Sequence, residues 1–207
     1  DSKPSSQYLQ DLEHVIHEIY SHLDEQLSIS PDLAEVLQRN VSGTEHVIWT
    51  GTQFVAPRQV ALRCVLQIKP WAMSVPPKFA AEFKHLTQHV GFMKQFTAEH
   101  YVGILSALHE QYGDAPLSAK HLKQVLKIVR HLGQEILDRG ADHVPLDHVL
   151  VPTTAGVLKP ARTVLYQSRD TALDGQNARY NLAHAEIAVE YCRVLGLVPA
   201  DKLLLQD

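Results

Sequence analysis

The stretch from Thr97 to Gly140, TAEHYVGILSALHEQYGDAPLSAKHLKQVLKIVRHLGQEILDRG, decides how the rest of the chain is read. It holds two complete helix signatures in succession. Thr97 is an N-cap residue, Tyr101, Ile104, Leu105 and Leu108 follow at three- and four-residue steps, and Gly113 comes directly after Gln111-Tyr112 as a stop. Ser118 caps a second helix running to about Asp138, with Leu122, Val125, Leu126, Val129 and Leu132 as its apolar stripe and Gly140 just beyond. A third helix precedes them from Pro77 to Val90, striped by Phe79, Phe83, Leu86 and Val90 and closed by Gly91. The connections are short, so neighbouring helices should pack antiparallel on one another.

Towards the N-terminus, Leu9, Leu12, Ile16, Ile19, Tyr20, Leu23 and Leu27 make one apolar stripe, which predicts a helix over about Ser6 to Leu27. Ser30-Pro31 starts a short helix to Leu37, ended by Arg39-Asn40-Val41-Ser42-Gly43. Val47-Ile48-Trp49 favours a strand over Glu45 to Thr50. Gly51 breaks it, and Gln53-Phe54-Val55 returns. Ala56-Pro57-Arg58 leads into an apolar segment to Leu66. Lys69-Pro70-Trp71 and Val75-Pro76-Pro77 bracket a linker, because proline removes donors and fixes the backbone.

Towards the C-terminus the character changes. Val149-Leu150-Val151-Pro152 and Val164-Leu165-Tyr166 read as strands around a Gly156 turn, and Arg169 to Asn181 as a polar mobile loop. Ala183 to Leu195 reads as an apolar helix stopped by Gly196, and Pro199 to Leu205 as a final turn. The expected fold is α+β and predominantly helical: an antiparallel helix cluster with a small sheet from strands near 45–55 and 149–166. Residues 1–207 are expected to form one segment with parts at 1–70, 77–140 and 141–207. Pairing between the two strand regions would make one α+β domain, and separation would make two.

The chain has 207 residues, 45% of them hydrophobic and 20% charged, which is a globular rather than a disordered composition. Its 19 basic and 23 acidic residues give a net charge of −4 without a basic run, which argues against nucleic acid as a partner. Lys120, Lys123, Lys127 and Arg130 fit a solvated helix face. No apolar stretch approaches the roughly 20 residues that span a bilayer. The opening Asp1-Ser2-Lys3-Pro4-Ser5-Ser6 has no signal-peptide core and no initiator methionine, and the chain stops at Leu205-Gln206-Asp207. Both ends read as cuts within a larger protein. Cys64 and Cys192 are expected as buried reduced thiols, which fits a cytoplasmic location.

Thirteen histidines are the compositional oddity. His85 and His89 share a helix face, but Leu86 stands where a zinc protease needs glutamate, and no third ligand is near. His14, His17 and His22 lie among acidic residues on a surface helix and read as solvated. Asp142-His143 and Asp147-His148 set carboxylates beside imidazoles, yet no nucleophile elbow precedes a helix. A polar turn accounts for them. The glycines are isolated turns and stops rather than a phosphate loop or dinucleotide fingerprint. Trp49 and Trp71 read as core or rim packing. No catalytic, cofactor-binding or metal-binding residue is assigned and no cofactor is expected. A histidine-based metal-binding or hydrolytic domain is the alternative.

Several segments, in a consistent order, resemble the large internal repeats of sacsin and sacsin-like proteins. Val47-Ile48-Trp49-Thr50-Gly51-Thr52-Gln53-Phe54-Val55-Ala56-Pro57 is similar to their tryptophan–glycine–phenylalanine–proline stretch, and Lys69-Pro70-Trp71-Ala72-Met73-Ser74-Val75-Pro76 to their proline–aromatic linker. Leu86 to Tyr101, with Val90-Gly91-Phe92 and Phe96-Thr97, resembles their helix–turn–helix. Val149-Leu150-Val151-Pro152, Gly156-Val157-Leu158-Lys159-Pro160-Ala161 and Val164-Leu165-Tyr166 resemble the strand pair that follows. The resemblance covers roughly residues 41 to 170, with a weaker echo at Ala188 to Leu205. It departs after Tyr166, where Gln167-Ser168-Arg169-Asp170 replaces the family's asparagine–aspartate–alanine–proline–tryptophan.

The resemblance implies a non-catalytic part of a large cytoplasmic co-chaperone repeat, downstream of its ATPase-like region. Its role would be scaffolding or binding of clients and partners in protein quality control. The implied partners are heat-shock chaperones of the seventy-kilodalton class, client proteins and intermediate filaments, with no nucleic acid and no membrane. The isolated chain is expected to be a monomer.

Overall fold

The computed structural model describes residues 6–30, 32–41, 43, 45–167 and 180–202. The fold is α+β, with seven α-helices and small sheets among the described residues. By its internal contacts the chain divides into two compact units, Asp1–Phe96 and Thr97–Asp207.

The first unit opens with α1 (Ser6–Ile29), which packs against α2 (Leu33–Val41) and α4 (Lys84–His89). The expected stripe on α1 is only partly used. Ile16 and Leu27 are buried and Tyr20 and Leu23 half-buried, whereas Ile19 is 52% exposed. A stripe seven residues strong is wider than the faces its neighbours offer, so its edge stays in solvent. The helix α2 runs on to Val41, past the expected end at Leu37.

The strands β1 (Ile48–Trp49) and β2 (Phe54–Val55) form the expected hairpin, Ile48 opposite Val55 and Trp49 opposite Phe54. Gly51 adopts φ +90° in its turn, a conformation that a side chain disfavours. A short 3₁₀ turn, Pro57–Gln59, delivers β3 (Val60–Arg63). The segment expected as a proline-bracketed linker is instead ordered into β4 (Met73–Ser74). It pairs parallel with β3, and β5 (Met93–Gln95) pairs parallel on β3's other side. Pro70 and Pro76 flank the edge strand β4 without entering it, so no ladder hydrogen bond is lost.

The single helix expected over Pro77 to Val90 is two helices, α3 (Pro77–Glu82) and α4, broken at Phe83 with φ −114° and ψ 72°. In an unbroken helix the Leu86 amide would donate to the Glu82 carbonyl. Here it donates to Asp24 Oδ1 of α1 at 2.7 Å. A carboxylate from α1 thus satisfies one of the free amides of the first turn of α4. All four predicted stripe residues, Phe79, Phe83, Leu86 and Val90, are buried in a cluster with Leu27, Ile48, Val55 and Val60.

The second unit follows its sequence signals more closely. The helix α5 (Ala98–Tyr112) begins at Thr97 and ends at Gly113, and α6 (Ala119–Arg139) begins at Ser118, whose Oγ accepts from the His121 amide at 3.3 Å. The two helices pack on each other, and both touch β6 (Leu150–Pro152). The strand β6 pairs antiparallel with β7 (Leu158–Pro160), not with 164–166 as expected. The register, Leu150 opposite Pro160 and Pro152 opposite Leu158, is centred just before Gly156 (φ +75°), and the other edge at Pro152–Thr154 is taken by residues 182–184. The strand β8 (Leu165–Tyr166) pairs parallel with β9 (Val198–Pro199). The strands near 45–55 and 149–166 therefore form, but each closes in its own small sheet.

The expected helix over Ala183 to Leu195 is confined to α7 (Val189–Val194). The backbone ahead of it is committed elsewhere. Leu165 N–H donates to Asn181 O, Ala183 N–H to Leu165 O, Thr154 N–H to Leu182 O and His184 N–H to Pro152 O, at 2.8–2.9 Å. Residues 169–179 of the expected polar loop lie outside the described residues, as do residues 203–205 of the expected final turn. Residues 200–202 of that turn form a 3₁₀ turn after β9. The α6–α7 contact depends on Gly133, where a Cβ would fall 2.7–2.9 Å from the Tyr191 ring and Cβ.

Candidate functional site

Tyr20 organises a hollow in the first unit. Its hydroxyl donates to the Val47 carbonyl at 2.5 Å and accepts from the Trp49 amide at 3.0 Å, which fastens α1 to the start of the β1–β2 hairpin. Burial raises the phenol's pKa above its ordinary 10.0, and the Trp49 hydrogen bond opposes this. The ring meets Phe79 and Phe83 edge-to-face, with centroids at 5.0 and 5.5 Å, and Phe79 and Phe83 meet at 5.3 Å. Such pairs are favoured because each ring's positive edge faces its neighbour's negative face.

Around these rings lies a pocket of about 450 Å³. Its walls come from Glu13, Ile16, His17 and Tyr20 of α1, from Trp49 to Gly51 of the hairpin, and from Pro76 to Phe79, Glu82 and Phe83 around α3. The α1 residues recur at i, i+3, i+4 and i+7, so one helix face supplies one wall. Thr50 holds the hairpin corner: its amide and hydroxyl both donate to the Gln53 carbonyl, at 3.0 and 2.9 Å. At the rim, His17 Nε2 lies 3.0 Å from Glu82 Oε2, and its ring sits edge-on to Phe83 at 5.3 Å. Glu13 and Lys78 complete the charged rim. Trp49 packs against the exposed Phe54 at 5.0 Å, and its indole nitrogen is buried without a hydrogen-bond partner among the described residues.

The other histidines do not converge with these. His14 pairs with Glu18 on the exposed face of α1 at 3.4 Å, while His22 and His85 are exposed and His89 half-buried. His17 departs from the solvated reading by reaching across to α3. In the second unit, neither Asp142-His143 nor Asp147-His148 closes on itself. His143 Nε2 lies 3.8 Å from Glu135 Oε1, and Asp147 lies 3.9 Å from the Arg162 guanidinium. Glu135 also faces His131 at 3.9 Å and Arg139 at 3.5 Å. Burial pulls the His131 imidazole below its ordinary 6.5, with Glu135 opposing and Arg139 adding to the effect. Among the described residues no group of three or more His, Cys, Asp or Glu is placed to hold a metal ion.

Lys120, Lys123, Lys127 and Arg130 lie on the exposed side of α6, as expected. Cys192 is buried, and desolvation pushes its thiol up to about 11. Cys64 is only half-buried, because the chain leaves the sheet there between exposed Arg63 and Val65. Neither cysteine is bridged. Trp71 is half-buried. Among the described residues no helix is long and apolar enough to cross a membrane.

Sequence reasoning placed Tyr20, Phe79 and Phe83 in core stripes and named no site residue. The signal that points to the pocket is the polar company those rings keep, Glu13 and His17 on one helix and Lys78 and Glu82 on another. No family model matches the chain, and no curated protein or solved structure matches it.

Proposed function

We propose that the chain is a non-catalytic, cytoplasmic protein-binding segment of a sacsin-like co-chaperone, and that the α1–hairpin–α3 pocket is where it takes hold of another protein. The pocket's aromatic lining carries this reading. A hollow of about 450 Å³ lies within the usual ligand-pocket range of roughly 300–1,000 Å³, and it is walled by rings with charges confined to the rim. Exposed Phe54, packed on the Trp49 wall, supports the same reading, and the same unit also exposes Tyr8, Val15 and Ile19. By the sequence resemblance, the partners would be clients, seventy-kilodalton heat-shock chaperones or intermediate filaments. The reading assigns no catalytic, cofactor or metal residue.

Light scattering of a heat-aggregating client protein tests it. The chain at equimolar ratio should suppress aggregation. Pro77→Trp, at an exposed rim position, should block the pocket and abolish the effect. Absence of suppression by the unaltered chain would overturn the reading.

A further inference from the structure

We propose that the pocket selects a lysine or arginine side chain borne on an apolar segment of another protein, its methylene stem on Tyr20, Phe79 and Phe83 and its charged head at Glu13 and Glu82. This rests on the pocket being the binding site, and it specifies what enters.

The floor of the pocket decides the first half. The Tyr20 hydroxyl is already committed to Val47 and Trp49, so a guest meets its ring and not a free donor. The neighbouring surfaces are Phe79 and Phe83. Such a floor accepts methylene groups, and ring faces attract a cation within about 6 Å of their centroids. An anionic guest would meet those ring faces and two carboxylates, Glu13 and Glu82, against a single lysine, Lys78, among the lining residues.

The rim decides the second half. Glu13 and Glu82 stand there against Lys78, so fixed negative charge exceeds fixed positive charge among the lining residues. His17 already lies on Glu82 with its ring on Phe83, so the protein itself sets an imidazole where aromatic ring and carboxylate meet. A guest ammonium or guanidinium would use the same two kinds of partner. Arginine and lysine suit this arrangement because their stems are apolar and only their heads need water or a carboxylate.

The surface outside the pocket indicates a protein segment rather than a small free cation. Beyond the Trp49 wall lies exposed Phe54, its ring tilted against the indole at 5.0 Å. A small amine would leave Phe54 untouched, whereas an apolar residue flanking a lysine can cover it.

Calorimetric titration of the full chain with three peptides identical except at the centre tests the proposal. Each peptide carries apolar flanks, with lysine, norleucine or glutamate at the central position. The lysine peptide should bind about tenfold more tightly than the norleucine peptide, equivalent to about 1.4 kcal/mol, and the glutamate peptide most weakly. Glu13→Gln with Glu82→Gln should remove most of the advantage of the lysine peptide over the norleucine peptide. Lys78→Gln should increase the advantage. Equal binding of the lysine and norleucine peptides would overturn the cationic selection and leave the pocket as an apolar binding site. If none of the three peptides bound, the pocket reading and this one would both fall.

Discussion

The two units place their apolar side chains differently. In the second, α5 and α6 bury nearly everything their stripes present, and Leu105, Leu108, Val125, Ile128, Val129 and Leu132 are all at or near zero exposure. Leu137 and Tyr180 are the large hydrophobic side chains left exposed there among the described residues. In the first unit nine such side chains are exposed, from Tyr8, Val15 and Ile19 on α1 to Val65 at 88%. Its α3–α4 segment is broken at Phe83, and an aromatic pocket stays open beside it. Among the described residues the first unit thus leaves more large apolar side chains uncovered than the second.

Mutations in the two units test this difference. Leu105→Ala should have the largest effect, costing about 2–5 kcal/mol because the loss of burial adds to the cavity left behind. Urea denaturation checks the size, and hydrogen exchange should place the loss in the second unit. A cost below about 1 kcal/mol would mean that the α5–α6 core is looser than its burial indicates. Gly133→Ala should cost about 1–3 kcal/mol by overpacking. The added methyl would meet the root of the Tyr191 side chain, which cannot swing away as a flexible tip would. Unchanged stability would show that α6 and α7 do not pack this closely.

In the first unit, Asp24→Ala should cost about 0.5–2 kcal/mol by freeing the Leu86 amide. Exchange protection at Leu86 should fall before that of α1. Full retention of that protection would remove Asp24 as the support of the α3–α4 break.

A pH scan gives a gentler contrast, confined to the second unit. The folded-state pKa of His131 lies below its unfolded value, so the unfolded chain takes up the proton more readily. Its contribution to stability is complete above about 6.5 and is lost as pH falls through the folded value. Thermal melts from pH 8 to pH 5 should decline less steeply for His131→Gln than for the unaltered chain. Equal slopes would remove His131 as the source. Ile19→Ala should have the smallest effect, within about 0.5 kcal/mol, because the side chain is half in water. A much larger loss would mean that this α1 face is covered.

What was legible in the sequence follows the same division. Thr97, Gly113, Ser118 and Gly140 announced α5 and α6 correctly, because caps and stops act within a few residues of themselves. The β1–β2 hairpin was legible for the same reason, with Gly51 at its turn. The break at Phe83 was not. The stripe Phe79, Phe83, Leu86, Val90 fits an unbroken helix, and what stabilises the break is Asp24, 62 residues earlier in the chain. The strand β4 was hidden because two residues carry no periodicity. Its partner β3 becomes a neighbour only once the chain has folded back.

Sequence alone, then, determined the α+β class, the helical signals at Thr97–Gly140, and the apolar faces that had to be covered somewhere. Local chemistry suffices for these, since capping and helical periodicity are settled among near neighbours. Tertiary structure decided which faces were covered. It shortened α7 by engaging residues 181–184 with β6 and β8, and it split the expected strands between separate small sheets. It also brought Tyr20, Trp49, Phe79 and Phe83 from three distant segments into one pocket. By periodicity Tyr20, Phe79 and Phe83 read as core, and Trp49 reads as core or rim packing. Only the meeting of α1, the hairpin and α3 leaves a hollow beside them with charge at its rim.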